Sequence, residues 1–349
     1  MTKCVSQVTG VFHKLIGAGE EIDAFIRPAN RYVPVCLLQT PLTMAQFMKP
    51  CLFSVSYAGL WGQAALILPD FITRAGRLGY PSVMLAGKRP HLSPLDATPS
   101  AVAALQELLR ETGVRCDVVA AYTHLAPSAA AEVPVLEMQI AYVETLARLA
   151  SALGATVVRV FTAYETDGQD PQAHWRRVVT TLREMCDRVA AHGVTLAIQN
   201  HHDLALDTDA LLDLLAEINR PNCKLGFDAW SPALRGEDLY AAARKAAPHT
   251  IITTNADYVR VPRHRYRPEL VNYERLSPDW VRATPFGTGF VDYAAFFRGL
   301  REGGFAGLAV YEMCSPVRGG GDLANLDACA TTYLNWMRAQ GLIDAAAVA

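Results

Sequence analysis

Thr156-Val-Val-Arg-Val-Phe161 and Val194-Thr-Leu-Ala-Ile198 enclose a longer stretch, 171–192, whose apolar residues recur at helical spacing. Both short runs are apolar almost throughout and rich in β-branched residues. That is the pattern of strands buried on both faces, as in parallel sheets covered by helices. The alternation extends in both directions. Strand-like runs at 51–57, 82–86 and 117–122 come before, with helical patterns near 69–79, 99–112 and 134–153. Runs at 223–228, 250–254 and 307–311 come after, with helical patterns near 208–219, 237–247, 292–302 and 323–339. Eight unbroken strand–helix units predict an α/β fold closed as a (β/α)8 TIM barrel. A doubly wound open sheet is the rival. It would more often carry a Gly-rich phosphate turn after the first strand, and Tyr57-Ala-Gly-Leu-Trp-Gly-Gln63 does not match one.

Composition narrows the function classes. The 349 residues are 51% hydrophobic and 19% charged, which excludes a disordered chain and permits a sizeable core. A formal charge of −2 argues against electrostatic nucleic-acid binding. No apolar run reaches the roughly 18–20 residues of a membrane helix, and no signal-peptide core follows the N-terminus. None of the eight cysteines forms a CxxC pair, and several sit in apolar runs, as free thiols do in a reducing compartment. The expected setting is the cytoplasm, with a small-molecule substrate, no nucleic-acid or membrane partner, and a homodimer as the commonest assembly.

A barrel uses roughly 250 residues. The remainder is expected in an N-terminal extension, 1–50, ahead of a barrel domain at 51–349, and in a long loop after strand seven, 257–290. That loop is rich in arginine and aromatics, which suits a lid or a partner-binding flap.

Catalytic groups of such barrels lie at the C-terminal ends of the strands. Those ends supply Tyr57 and Trp61, then Lys88 and His91, then Tyr122 and His124. Strand five ends in Gln199, Asn200, His201 and His202, strand six in Asp228 and Trp230, strand seven in Asn255 and Asp257, strand eight in Glu312. Arg260 follows in the long loop. Each has an ordinary alternative: Asp228 as a helix cap, the histidines as packed rings, and Trp61, Tyr122 and Trp230 as rim packing rather than ligand platforms.

Five stretches together resemble the xylose isomerase-like TIM-barrel superfamily, the sugar-phosphate isomerase and epimerase group. They are Lys88-Arg-Pro-His-Leu-Ser-Pro94, Leu196-Ala-Ile-Gln-Asn-His-His-Asp203, Lys224-Leu-Gly-Phe-Asp-Ala-Trp230, Pro285-Phe-Gly-Thr-Gly-Phe-Val-Asp292 and Tyr311-Glu-Met-Cys-Ser-Pro316. The likeness spans about 51–340. It implies a divalent cation, Mn or Mg, held by a Glu after strand five, an Asp after strand six, a His after strand seven and a Glu after strand eight. It also implies enolisation between two glutamates.

Two of those four positions differ. Gln199 stands where the family has Glu, and Ile252 or Thr254 stands where it has His; His249 falls at the opposite end of its strand. Asp228 and Glu312 remain. No tightly bound metal is therefore expected, and a loosely held ion would rest on Asp228, Glu312 and Gln199, with His202 or Asp257 as substitute ligands.

The first expectation is a barrel enzyme performing isomerisation, epimerisation, elimination or cyclisation on a small polar or anionic substrate. Glu312, Asp228, His202 and His201 would be its acid–base groups, and the remaining rim residues would bind substrate. The alternatives are a metal-dependent ketose or polyol isomerase or epimerase, and a non-catalytic binding or partner subunit.

Overall fold

The computed structural model describes residues 47–126, 132–165 and 167–344. Nearly all of the expected N-terminal extension lies outside them. In chain order the elements are β1 (Lys49–Phe53), α1 (Leu68–Arg77), β2 (Ser82–Ala86), α2 (Pro99–Thr112), β3 (Arg115–Ala120), α3 (Val135–Ala152) and β4 (Val157–Val160). Next come α4 (Pro171–Ala190), β5 (Thr195–Gln199), α5 (Thr208–Ile218), β6 (Cys223–Gly226), α6 (Trp230–Arg235), α7 (Leu239–Ala246) and β7 (Thr250–Asn255). The last are β8 (Asp257–Arg267), β9 (Asn272–Thr284), α8 (Tyr293–Glu302), β10 (Leu308–Tyr311) and α9 (Leu323–Ala339).

Strands β1 to β7 and β10 close a parallel barrel, with β1 paired to both β2 and β10. This is the TIM barrel that the alternation predicts. Lys49 already pairs with Leu308, so the barrel begins two residues ahead of the expected boundary. Helix starts follow local chemistry. The side chains of Thr98, Asp170, Asp207, Asp238, Asp292 and Asp322 accept hydrogen bonds from backbone N–H groups of the first turn that would otherwise lack partners. Pro99 and Pro171 occupy first-turn positions where a missing N–H costs nothing.

Side-chain parity sorts the strands into two cores. Leu52, Val83, Leu85, Val119, Val158, Leu196 and Ile198 pack outward against the helices. Cys51, Phe53, Met84, Ala86, Val118, Ala120, Val157, Ala197, Ile252 and Val310 fill the lumen. Each fully buried aliphatic side chain contributes about 1.5–3 kcal/mol, so the lumen is a packed plug rather than a channel. Two residues further along the inward rows stand Tyr122, Arg159, Gln199, Thr254 and Glu312. Parity alone thus aims a polar set at the mouth.

The segment after β7 differs from the expected loop. β8 and β9 pair antiparallel from Asp257 and Thr284 at the root to Arg267 and Asn272 near the tip, with a bulge where Pro262 cannot join the ladder. Alternating Val, Tyr and Arg along 258–267 give it a strand period. Among the described residues no helix is long and apolar enough to cross a membrane.

Candidate active site

A cavity of about 390 Å3 opens at the C-terminal mouth of the barrel. Phe53, Trp61, Tyr122, His124, Arg159, Phe161, Tyr164, Gln199, His201, His202, Glu312 and Cys314 line it. A smaller recess of about 100 Å3 shares His201, Glu312 and Cys314 with it, and adds Asp228, Trp230, Thr254 and Tyr258. The structure therefore brings together the four expected acid–base residues from β5, β6 and β10.

Asp228 is held by the strand beside it. Asn200 clamps its backbone, accepting from the Asp228 N–H at 2.7 Å and donating to its carbonyl at 3.0 Å. The carboxylate accepts from Gln199 Nε2 at 2.7 Å and from the Trp230 backbone N–H at 3.2 Å. Gln199 Nε2 also donates to Thr254 Oγ1 at 2.8 Å, and Gln199 Oε1 is buried without a partner. The orientation follows from charge, since an amide oxygen facing the carboxylate would be repelled.

Both carboxyl groups of the recess sit above their usual range. Burial raises Asp228 to about 6, against the hydrogen bonds that stabilise its anion. Burial and then the charge of Asp228 raise Glu312 to about 7, with Arg159 opposing. The histidines move the other way. Burial, reinforced by nearby positive charge, lowers His201 to about 4 and His202 to about 3, so both rings are neutral near pH 7. His201 Nδ1 accepts from the His202 backbone N–H at 2.8 Å, which places the ring proton on Nε2. His202 adopts a left-handed φ of 70° and stacks on Tyr164 with ring centroids 3.9 Å apart. His201 stacks on Trp230 at 5.4 Å.

Several expected binding residues are placed elsewhere. Tyr57 is fully buried and its hydroxyl donates to Asp327 on α9. His91 packs on Phe71 in a separate groove between α1 and α2. The Asn255 amide donates to the carbonyls of Thr253 and Val310 and to the Tyr333 hydroxyl, which ties β7 to its neighbours. Asp257 accepts from the backbone N–H groups of Tyr258, Gly287 and Gly289, so it braces the hairpin root. Asn200 acts on the Asp228 backbone rather than lining the cavity. Arg260 is exposed with its guanidinium over Phe290. Lys88 lies beside the cavity with Nζ 3.7 Å from the Tyr122 ring centroid.

Arg159, Phe161 and Cys314 were not singled out by reading strand ends. Arg159 sits within its strand rather than at the end, and parity is the signal that finds it. Cys314 Sγ lies 3.1 Å from the Tyr258 hydroxyl and 3.5 Å from Glu312.

The sequence profile described as xylose isomerase-like TIM barrel matches residues 72–339. The chain belongs to this family. Within the xylose isomerase-like barrels, a 3-dehydroshikimate dehydratase of Bacillus anthracis is 24% identical over 172 residues, 48% of this chain and 59% of that protein. The chain thus spans about three-fifths of the length of that curated relative. A xylose isomerase domain protein of Planctomyces limnophilus is 19% identical, with a TM-score of 0.61 over 85% of this chain and 98% of that one. A D-allulose 3-epimerase of Methylomonas, solved with D-allulose, is 17% identical, with a TM-score of 0.64 over 84% and 98%. These structural likenesses establish the shared fold.

The side chains at the mouth differ from the donor set of the divalent cation that the resemblance implies. Gln199 turns an N–H donor, not a lone pair, toward Asp228, and Thr254 holds the seventh-strand position. Asp257 is committed to three backbone amides. Among the described residues no three His, Cys, Asp or Glu side chains converge as a metal site. These residues do not fit an ion held in the family manner.

Proposed function

We propose that the barrel mouth is the active site of a proton-transfer enzyme, acting on a small polar or anionic substrate through Glu312 and Asp228 without a tightly bound cation. The observation that carries this reading is the amide of Gln199, which gives Asp228 a hydrogen-bond donor where an ion would otherwise lie.

The chemistry follows from the two raised carboxyl groups. Two interacting carboxyls titrate as a pair, and between about pH 6 and 7 they hold one proton between them. One member is then a base and the other an acid. In that window Glu312, the higher of the two, holds the proton and is the acid, so the Asp228 carboxylate takes a proton from a carbon next to a carbonyl, and the electron pair moves to the carbonyl oxygen. Returning the proton at a different carbon or face gives isomerisation or epimerisation. Delivering a proton instead to a β-hydroxyl releases water and leaves an alkene. The neutral His201 ring offers its Nε2–H as a hydrogen-bond donor rather than a base.

The dehydratase relative supports elimination, and the epimerase fold neighbours support the isomerising branch. The test is turnover of a ketose panel and of 3-dehydroshikimate by the purified chain, with chelator and with added manganese. Expected is activity that survives chelator and falls at least about a hundredfold in Glu312→Gln. Activity that disappears with chelator and returns with manganese would overturn the proposal in favour of a metal-dependent isomerase. No turnover by this panel, with Glu312→Gln binding each compound as the parent does, would favour a binding subunit.

A further inference from the structure

Arg159 is the largest charged group sealed in the barrel, 1% exposed on an inward position of β4. Its Nη1 donates to the Ala121 carbonyl at 3.0 Å, whereas its Nε is buried with no hydrogen-bond partner. Among the described residues no carboxylate lies within ion-pair distance of it. The guanidinium carbon is 3.9 Å from the Phe161 ring centroid, 5.1 Å from that of Tyr122 and 5.7 Å from that of Phe53. Aromatic faces offset part of the cost of burying a cation, but they do not satisfy its N–H groups.

The wall opposite carries the anions. Arg159, on the β4 side, lines the cavity that Glu312 borders from β10, and Asp228 lines the recess that shares Glu312 with it. A buried guanidinium with unused donors is costly unless an anion completes it, and a carboxylate matches its planar fork with two parallel hydrogen bonds. Rings around that fork favour a flat molecule over a puckered polyol.

We infer that Arg159 is the anion subsite of this cavity, binding the carboxylate of a small, flat carboxylic-acid substrate and directing its opposite end at Glu312. The inference rests on the barrel mouth being the active site and adds the substrate class. Arg159 supplies the fixed positive charge of the site, on the wall away from the acid–base pair.

The test is calorimetric titration of the full chain with benzoate and with its neutral isostere benzamide. Expected is benzoate binding at least about tenfold tighter than benzamide, the size of effect that a charge-assisted bidentate pair provides. Arg159→Gln should erase that preference and leave benzamide within about twofold, since it removes the charged donor and keeps the rings. Arg159→Lys, which keeps charge but loses the fork, should lose at least about threefold for benzoate, and it carries the test where Arg159→Gln fails to fold. Glu312→Gln should keep the preference intact. Failure of the proton-transfer reading would therefore appear as unchanged turnover in that variant, separately from the binding result. Equal affinity for the two probes, binding of neither, or a preference that survives in both Arg159 variants would overturn the assignment.

Discussion

The side-chain amide of Gln199 donates to Asp228 Oδ2 at 2.7 Å and to Thr254 Oγ1 at 2.8 Å, joining the ends of β5, β6 and β7 in one hydrogen-bonded link. In the metal-holding pattern that the family resemblance implies, the Glu and Asp carboxylates at the first two of these positions would repel each other unless a cation lay between them. Here the link closes on itself.

The link predicts what would restore a metal site. Gln199→Glu combined with Thr254→His rebuilds the four-ligand set with Asp228 and Glu312. Elemental analysis after gel filtration should find near-stoichiometric manganese in the double variant and little in the parent, an affinity gain of at least about tenfold, because ligand number and charge set cation affinity. Stoichiometric metal in the parent would show that other ligands had replaced the missing pair.

A second prediction concerns the pH profile. Asp228 at about 6 and Glu312 at about 7 place the singly protonated pair in a narrow window. kcat/KM should follow a bell centred between those values and fall about tenfold per pH unit on either flank. His201 and His202 are already neutral there, so they add no flank of their own. A profile flat from pH 5 to 9 would remove the pair from the chemistry.

The barrel itself was legible because each of its strands is an apolar run and most of its helices are periodic and capped, from Asp170 before α4 to Asp322 before α9. Glu312 and Asp228 were legible for a related reason: strand ends in this fold point at one rim. Asn255 sits at such an end yet turns into packing, because a strand end fixes height in the barrel while parity fixes which side a residue faces; Tyr57 lies past β1, in the 3-10 turn Ser54–Tyr57, where strand parity no longer applies. Arg159 was hidden by the same rule applied too coarsely. A lone arginine within a fully buried parallel strand is its own signal, since only a lumen facing a polar cavity leaves room for it. The hairpin of β8 and β9 escaped because arginines on its exposed face read as loop composition, although their alternation with Val and Tyr carries the strand period.

The hairpin root supplies a third prediction. A Cβ on Gly289 would lie 2.0 Å from Asp257 Oδ1 and 2.4 Å from the Tyr258 carbonyl oxygen, both part of the brace that fixes the root. Gly289→Ala should therefore destabilise the protein by about 2–4 kcal/mol and lower Tm by several degrees. Activity should fall as well, because Tyr258 and Val281, at the base of the two strands, line the recess that holds Asp228. An unchanged melting curve would mean that the loop 285–290 shifts without cost.

The fourth prediction separates stability from activity at Glu312. Its folded carboxyl is raised from an ordinary 4.5 to about 7, mainly by burial, so the folded state holds the proton more tightly than the unfolded chain does. The stability from burying the neutral acid is fully present below about pH 4.5 and is lost as pH rises through about 7. Glu312→Gln keeps the shape and cannot ionise. It should match the parent near pH 5 and exceed its stability at pH 8, by about 1–2 kcal/mol because the carboxyl still borders the open mouth. Urea unfolding at the two pH values checks this directly. A variant less stable than the parent at pH 8 would mean that ionised Glu312 gains more from the positive charge of Arg159 than it loses to burial and to Asp228.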